Sequence, residues 1–415
     1  MNARSGSFPR WAFICCLLPL LLAGPPAFGA DPLLTAEWSS VLAAARGQTV
    51  DWYMWGGSPA VNALVNGYIA DQVRERYGIT LRQVPVQDIA EVVGKLVIER
   101  QAGKTDGGGV DLMWINGENF RTARKNELLF GPFAPRLPNQ RLVDGTRPSV
   151  RQDFGTPVDG WESPWGSAQV VMIHDSARTP EPPRTVAALL DWIRQHPGRF
   201  AYPAPPDFTG SVFVRHVFYH LAGGPDPWQA GEQSAGFDAA ANRTYALLKD
   251  LAPFLWREGK TYPESPVRLN TLFADGEIDF AFSYHPAEAS RNILDGLFPP
   301  TVRTFVFDEG TIANTHFVAI PFNAAHRAGA MVVADFLLSP EAQLQKADPE
   351  VWGDLPAIDA ARLAPEWQKR FQDVIARGPA TLPRAELEAR RLPELPADLL
   401  VRLEKGWETR VLKGR

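Results

Sequence analysis

Short apolar segments with strand propensity alternate with helical segments along most of this chain. Residues 50–55 form a β-prone run, and Ser58 and Pro59 then supply the cap and first turn of a helical pattern that continues to Gly78. Further strands are predicted at residues 79–86 and 110–115, separated by a helix that Asp88 can cap. Such alternation predicts βαβ units and a largely parallel sheet.

The second half of the chain continues the same alternation. We predict strands at residues 170–173, 200–202, 278–283, 302–307 and 317–320. We predict helices at residues 185–195, 212–221, 245–256 and 328–338, the second of them capped by Thr209 or Ser211. The tail from Pro349 reads as several short helices separated by proline, and no repeat of fixed period is found.

The first thirty residues have the pattern of a secretory signal peptide. Arg4 and Arg10 precede an apolar run at 11–22, and Ala27 and Gly29 fit the small positions before a cleavage site after Gly29 or after Ala30. Both cysteines of the chain lie within this segment, so the mature chain is expected to form no disulfide. The segment therefore predicts that the mature chain works in an exported compartment.

Length and charge narrow the class of protein. The 415 residues suggest two or three domains, and the only long apolar run is N-terminal, which argues against a polytopic membrane protein. The formal net charge of −5 gives no reason to expect nucleic acid as a partner.

Motifs for chemistry are incomplete. Gly103-Lys104-Thr105 lacks the first glycine of a phosphate loop, because position 98 is Ile. His216 and His220 share a predicted helix face but lack the glutamate of a zinc protease and a third ligand, so two surface or half-buried histidines are expected there. We therefore predict no catalytic residue, no metal and no cofactor, and a protein that is not an enzyme.

Small and polar residues beside aromatic ones follow several predicted strands or begin helices. Ligands of open α/β sheets sit beyond the carboxyl ends of strands and near helix N-termini, so these loops predict one shared cleft. Ordinary turn chemistry is the alternative for each loop taken alone. The candidate ligand-binding residues are Trp55, Gly57, Ser58, Asn116, Asn119, Trp165, Asp207, Gly210, Ser211 and Tyr284.

These residues lie in segments where the chain resembles a solute-binding protein of a bacterial ABC importer. The resemblance is to the broad group that includes iron, thiamine and polyamine binders, in particular to a poorly characterised branch of it, and covers most of the mature chain. The matching segments are residues 52–58, 110–120, 164–172 and 335–343. None of these motifs identifies a ligand.

The resemblance implies an α/β, two-lobed fold of the type II periplasmic-binding-protein class, with two crossing strands at a hinge and a helical C-terminal tail. Lobe 1 would hold residues 31–165 and 316–345, and lobe 2 with the crossings would hold 166–315. Residues 346–415, here called the C-terminal segment, would pack as helices on the lobes.

The resemblance also implies binding without chemistry, by closure of the lobes around a ligand that is delivered to a permease in the inner membrane. Trp55, Gly57 and Ser58 would form one wall, Asn116 and Asn119 would supply amides, and Trp165 would stack near the hinge. In lobe 2, Gly210 and Ser211 would offer backbone N–H groups, with Tyr284 opposite and Asp207 available to a cation.

The ligand and one alternative stay open. Aromatic residues near acids suit a thiamine-like or polyamine cation, whereas Gly-Ser at a helix start suits a small anion. Ferric-ion binders of the group often use adjacent Tyr residues, and the sequence has no Tyr-Tyr pair, which counts against iron as the ligand. A monomer is expected. The alternative function is an exported hydrolase acting on carbohydrate through a Trp-rich cleft.

Overall fold

The computed structural model describes residues 1, 2, 6 and 31–414. The predicted signal peptide thus lies almost wholly outside the described residues. The strands are β1 (Thr49–Trp55), β2 (Thr80–Val86), β3 (Leu112–Ile115), β4 (Gln152–Asp153), β5 (Thr156–Pro157), β6 (Glu162–Gln169), β7 (Val171–Asp175), β8 (Phe280–Ser283), β9 (Val302–Phe305), β10 (Thr311–Ala319) and β11 (Arg391–Leu392).

Helices follow most of these strands and pack on the sheets. They are α1 (Trp38–Ala45), α2 (Pro59–Leu64), α3 (Ala70–Tyr77), α4 (Ile89–Gln101), α5 (Glu118–Lys125), α6 (Pro148–Arg151), α7 (Val186–Gln195), α8 (Phe208–Leu221), α9 (Phe237–Leu251), α10 (Pro266–Ala274), α11 (Glu288–Leu294), α12 (Arg327–Leu337), α13 (Pro340–Ala347), α14 (Pro365–Ile375), α15 (Arg384–Ala389) and α16 (Ala397–Trp407). A short π-helical segment at Val65–Ile69 joins α2 to α3. None of the helices in the described part is long and apolar enough to cross a membrane.

The larger lobe, lobe 1, is built on a six-stranded sheet. Its strand order is β11-β10-β3-β1-β2, and β6 pairs with β10. Strand β1 runs parallel to β2 and β3, whereas β10 runs antiparallel to β3 and β6. The sheet is therefore mixed, and the prediction of a largely parallel sheet is wrong, because β10 returns from the second lobe in the opposite direction.

The smaller lobe, lobe 2, has a three-stranded antiparallel sheet in the order β8-β7-β9. The chain enters it directly from β6 into β7 and leaves it from β9 into β10. Because β6 and β10 are paired side by side, the two connections form a double crossing between the lobes. This confirms the predicted two-lobed α/β fold; the exact residue boundaries of the lobes stay a prediction.

Local signals explain several helix starts and three corrections. The Asp88 carboxylate accepts from the N–H of Ala90 and caps α4, as predicted. Helix α8 begins earlier than predicted and is capped by Asp207, not by Thr209 or Ser211. Helix α9 covers 237–251 rather than 245–256, since Gly236 precedes it and Pro253 follows it. Residues 200–202 are buried but form no strand.

The C-terminal segment contacts both lobes. Trp352 is buried in the core of lobe 1, beside Trp165, and Trp407 is buried in the core of lobe 2. The Trp407 indole N–H donates to the Tyr202 hydroxyl at 3.2 Å. Helix α16 packs against α5 of lobe 1 and α9 of lobe 2. The segment thus lies across the junction of the two lobes.

Candidate functional site

On the lobe 1 side, the predicted residues end β1 and begin two helices. Trp55 is 39% exposed at the end of β1. The Ser58 hydroxyl accepts from the N–H of Val61 and caps α2. The half-buried Asn116 follows β3, and Asn119 is buried in the first turn of α5, donating to the Glu118 carboxylate at 3.4 Å.

The turn between β3 and α5 is fixed by a buried acid. Gly117 has φ +59°, a conformation that favours glycine, and its N–H donates to the Asp153 carboxyl at 2.6 Å. Asp153 lies in the β4–β5 hairpin, and the Phe154 ring closes over Gly117. Burial raises the pKa of Asp153 well above its ordinary value, and the hydrogen bond from Gly117 opposes this shift.

On the lobe 2 side, the predicted helix N-terminus already uses its donors within the protein. The N–H groups of Gly210 and Ser211 donate to the Asp207 carboxylate and carbonyl, and the Ser211 hydroxyl donates to Glu404 of α16 at 2.5 Å. The Tyr284 hydroxyl donates to Glu394 at 2.8 Å. Asp207, Gly210 and Ser211 thus lie together at the start of α8. Ser211 and Tyr284 both form hydrogen bonds with the C-terminal segment.

Trp165 lies away from the solvent. It is fully buried in β6, with ring centroids 5.1 Å from Trp52, 4.9 Å from Trp114 and 5.2 Å from Trp352. Its surroundings are those of a core residue. The stacking role that the resemblance implied for Trp165 would require this cluster to open.

A buried carboxylate from the C-terminal segment occupies the junction of the lobes. Glu394 forms an ion pair with Arg215 of α8, and it accepts from the Tyr284 hydroxyl and from the Asn314 amide of β10 at 2.9 Å. All four side chains are at most 6% exposed. The phenyl ring of Phe208 packs on the ring of Tyr284, with 4.7 Å between the ring centroids. This cluster joins lobe 2, the strand β10, here called the hinge strand, and the C-terminal segment.

Two further acids lie near this cluster. Burial raises the pKa of Glu118, at the start of α5, and raises that of Glu404 to about 7. The field of Arg215 opposes both shifts, and the negative charge of Glu394 adds to them. Glu118 of α5 and Glu404 of α16 thus add two buried acids to the surroundings of Arg215.

A cavity of about 450 Å³ lies beside the cluster, between the lobes. Lobe 1 contributes residues 147–149 and 152–155, the strand β10 at the hinge contributes Ala313, Asn314 and Thr315, and lobe 2 contributes Gln229. The C-terminal segment closes it with Glu388 and residues 391–394. None of the ten residues predicted from sequence lines this cavity.

A second polar cluster, His285, His316 and Asp354, has the donor types of a metal site. The Asp354 carboxylate accepts from the buried ammonium group of Lys346 at 2.5 Å, and one oxygen lies 3.2 Å from His316 Nε2. The nearby cations hold the pKa of Asp354 well below its usual range. Since Lys346 already supplies the positive charge, these residues fit an internal ion pair better than a metal.

The prediction of a surface or half-buried His216 is wrong, because both of its ring nitrogens have backbone partners inside the protein. His216 is buried in α8, its Nε2 accepts from the N–H of Ile312 at 3.1 Å, and burial lowers its pKa to about 4. It therefore ties α8 to the hinge strand in its neutral form.

Sequence reasoning missed Arg215, Asn314, Arg391 and Glu394. Arg215 is the one charged residue in the apolar run at 212–219, which is a signal of a buried partner. The partner lies 179 residues away in sequence, so no local pattern could identify it. Glu394 stands in a Leu-Pro-Glu-Leu-Pro sequence that reads only as an extended segment.

Comparisons with known proteins identify a family and a relative that each match most of this chain. The sequence profile of the bacterial extracellular solute-binding protein family matches residues 68–372. Protein YnjB of Escherichia coli (strain K12) is 40% identical over 372 residues, which span 90% of this chain and 93% of that protein.

Solved structures share the fold at low sequence identity. An ABC transporter from Clostridium perfringens has a TM-score of 0.61 at 13% identity, covering 87% of this chain and 99% of that one. An ABC transporter substrate-binding protein from Bradyrhizobium japonicum also has a TM-score of 0.61, at 16% identity, covering 87% and 99%. Neither the profile nor these relatives favour the alternative of a carbohydrate hydrolase.

Proposed function

The chain belongs to the bacterial extracellular solute-binding protein family, and from that premise we propose that it is the periplasmic capture component of an ABC importer. It holds a small polar solute between its two lobes and delivers it to a permease in the inner membrane. It works as a monomer and performs no chemistry on the solute.

The observation that carries this proposal is the 450 Å³ cavity at the hinge. Its volume falls in the range of roughly 300–1,000 Å³ that is typical of small-molecule sites. Both lobes and the hinge strand line it, so a bound solute would contact both lobes only when they are closed. A solute with such contacts shifts the population to the closed arrangement, which is the form the permease would recognise.

We propose that the loops predicted from sequence form the mouth of the interlobe space. Trp55 and Phe208 are large aromatic side chains, 39% and 37% exposed, at the ends of elements from opposite lobes. Asn119 and Asp207 stand at the starts of α5 and α8, and with the two aromatic residues they would contact the solute on its way in. Ser211, which is buried and bonded to Glu404, would hold the start of α8 in place for this contact.

The test is native mass spectrometry of the protein purified from its host, followed by thermal melting with the solute that it retains. A true ligand raises the melting temperature, and the added stability grows with the logarithm of its concentration over Kd. We expect Trp55→Ala and Ser211→Ala to weaken binding several-fold. Trp367→Ala and Ser265→Ala are matched controls, because Trp367 lies on α14 and Ser265 caps α10, both away from the junction.

Two results would contradict the proposal. Turnover of any bound compound would show an enzyme instead of a binding protein. Unchanged affinity in both Trp55→Ala and Ser211→Ala would remove the predicted loops from the site.

A further inference from the structure

One cation at the interlobe cavity lacks a counter-ion. The partly buried Arg391 of β11 lines the cavity, and its guanidinium group donates one hydrogen bond, to the Ser167 hydroxyl at 3.3 Å. Within residues 31–414 it forms no ion pair. A guanidinium group offers five N–H donors, so most of them are left for another partner.

The other arginines around the cavity have carboxylate partners. Arg147 pairs with Asp144 at 3.4 Å and with Glu388 at 3.3 Å, and Arg215 pairs with Glu394. Among the described residues that line the cavity, Arg391 is thus the arginine without an ion pair, and Arg147 lies in the same wall.

Burial and the neighbouring Arg147 lower the pKa of Arg391 to about 10, and the charge of Glu388 offsets this shift only in part, so the protein holds the charge of Arg391 at a cost. Neutral donors and acceptors complete the wall: Ser149, Gln152, Gln229 and Thr315. A cationic solute placed here would add to the repulsion between Arg147 and Arg391. An oxyanion would instead supply the missing counter-ion in a geometry that guanidinium groups match with two parallel hydrogen bonds.

We propose that the interlobe cavity binds the carboxylate or phosphate group of a small acidic solute, with Arg391 as its main partner and Arg147 as the second. This inference rests on the proposed function, since it names the class of solute that the importer takes. It chooses the anion among the ligand classes that the sequence left open. The polar residues beside the guanidinium groups would hold the uncharged part of the solute.

Isothermal titration calorimetry tests the proposal on the full mature protein, stripped of retained solute by reversible unfolding. The probes are succinate, glycerol 3-phosphate and inorganic phosphate, with putrescine and thiamine as cations. We expect at least one oxyanion to bind, and the preferred probe separates carboxylate from phosphate. Arg391→Gln should weaken that binding at least tenfold, the size of a lost charge-assisted hydrogen bond, and Arg391→Lys should restore part of it.

The control variant is Arg303→Gln, which removes the same charge from an exposed site on β9 where the side chain bonds only backbone carbonyls. It should leave binding unchanged. Oxyanion binding that is insensitive to Arg391→Gln and Arg147→Gln would overturn the assignment of the site.

The remaining outcomes separate this proposal from the function on which it rests. Binding of putrescine or thiamine with no oxyanion bound would overturn the class of solute and leave solute capture intact. If no probe binds at 10 mM and the protein retains a neutral or cationic solute from its host, the class of solute is likewise overturned and solute capture is left intact. No probe bound and no solute retained from the host would contradict both proposals.

Discussion

Glu394 and Arg391 lie three residues apart on the C-terminal segment, but among the described residues only Glu394 forms an ion pair. Glu394 is held by a guanidinium group, a phenol and an amide, all buried. Arg391 has one hydroxyl partner and a cavity in front of it. A buried charge with a full set of partners holds the segment against the lobes. A buried charge without a counter-ion beside a cavity is instead a candidate for binding a ligand.

The largest expected effect comes from breaking the paired side of this comparison. Glu394→Ala leaves the fully buried Arg215 without a counter-ion, which should lower the free energy of unfolding by about 3–5 kcal/mol. Urea denaturation followed by tryptophan fluorescence measures the change.

Glu388→Ala is the matched control, because its carboxylate is 42% exposed and its ion pairs are largely solvated. We expect it to cost less than about 1 kcal/mol. Equal losses in the two variants would mean that Glu394 is no more structural than a surface acid.

The next effect concerns Glu404, an acid on the same segment that has a hydroxyl partner but no ion pair within the described residues. Its pKa rises from 4.5 to about 7 on folding, so the folded state binds the proton more tightly. The resulting stabilisation is fully present below about pH 4.5 and is lost as the pH rises through 7.

Urea denaturation at pH 5 and pH 8 tests this sign. Glu404→Gln should reduce the drop in stability between the two pH values by about 2 kcal/mol, while the exposed Glu408→Gln should not change it. A pH dependence identical in wild type and Glu404→Gln would show that this carboxyl titrates normally.

The sequence predicted the elements that depend on local pattern. Strand β1, the helix after Ser58 and the helix capped by Asp88 follow from hydrophobic periodicity and capping residues. The two-lobed arrangement followed from the resemblance of several segments to solute-binding proteins, and it is confirmed. The direction of β10 could not be predicted, since strand polarity depends on the path of the chain through the second lobe.

The candidate site was harder to predict, because its charges come from distant parts of the chain. Tyr284 was predicted as a ligand-binding residue of lobe 2, which stays a prediction, and its partner Glu394 lies 110 residues away. Trp165 illustrates the opposite problem, since tryptophan is used both in cores and in ligand sites, and only packing separates the two. The unpaired state of Arg391 can be recognised only after every neighbouring carboxylate has been placed.

The most direct test of the account is the stability of Arg391→Gln in the absence of solute. If Arg391 is a desolvated cation without a counter-ion, the neutral amide should raise the free energy of unfolding by about 1 kcal/mol, after some packing of the arginine stem is lost. Arg303→Gln should stay within about 0.5 kcal/mol of wild type. Destabilisation by Arg391→Gln in ligand-free protein would show that Arg391 is already paired, and would contradict its role as the receptor of an acidic solute.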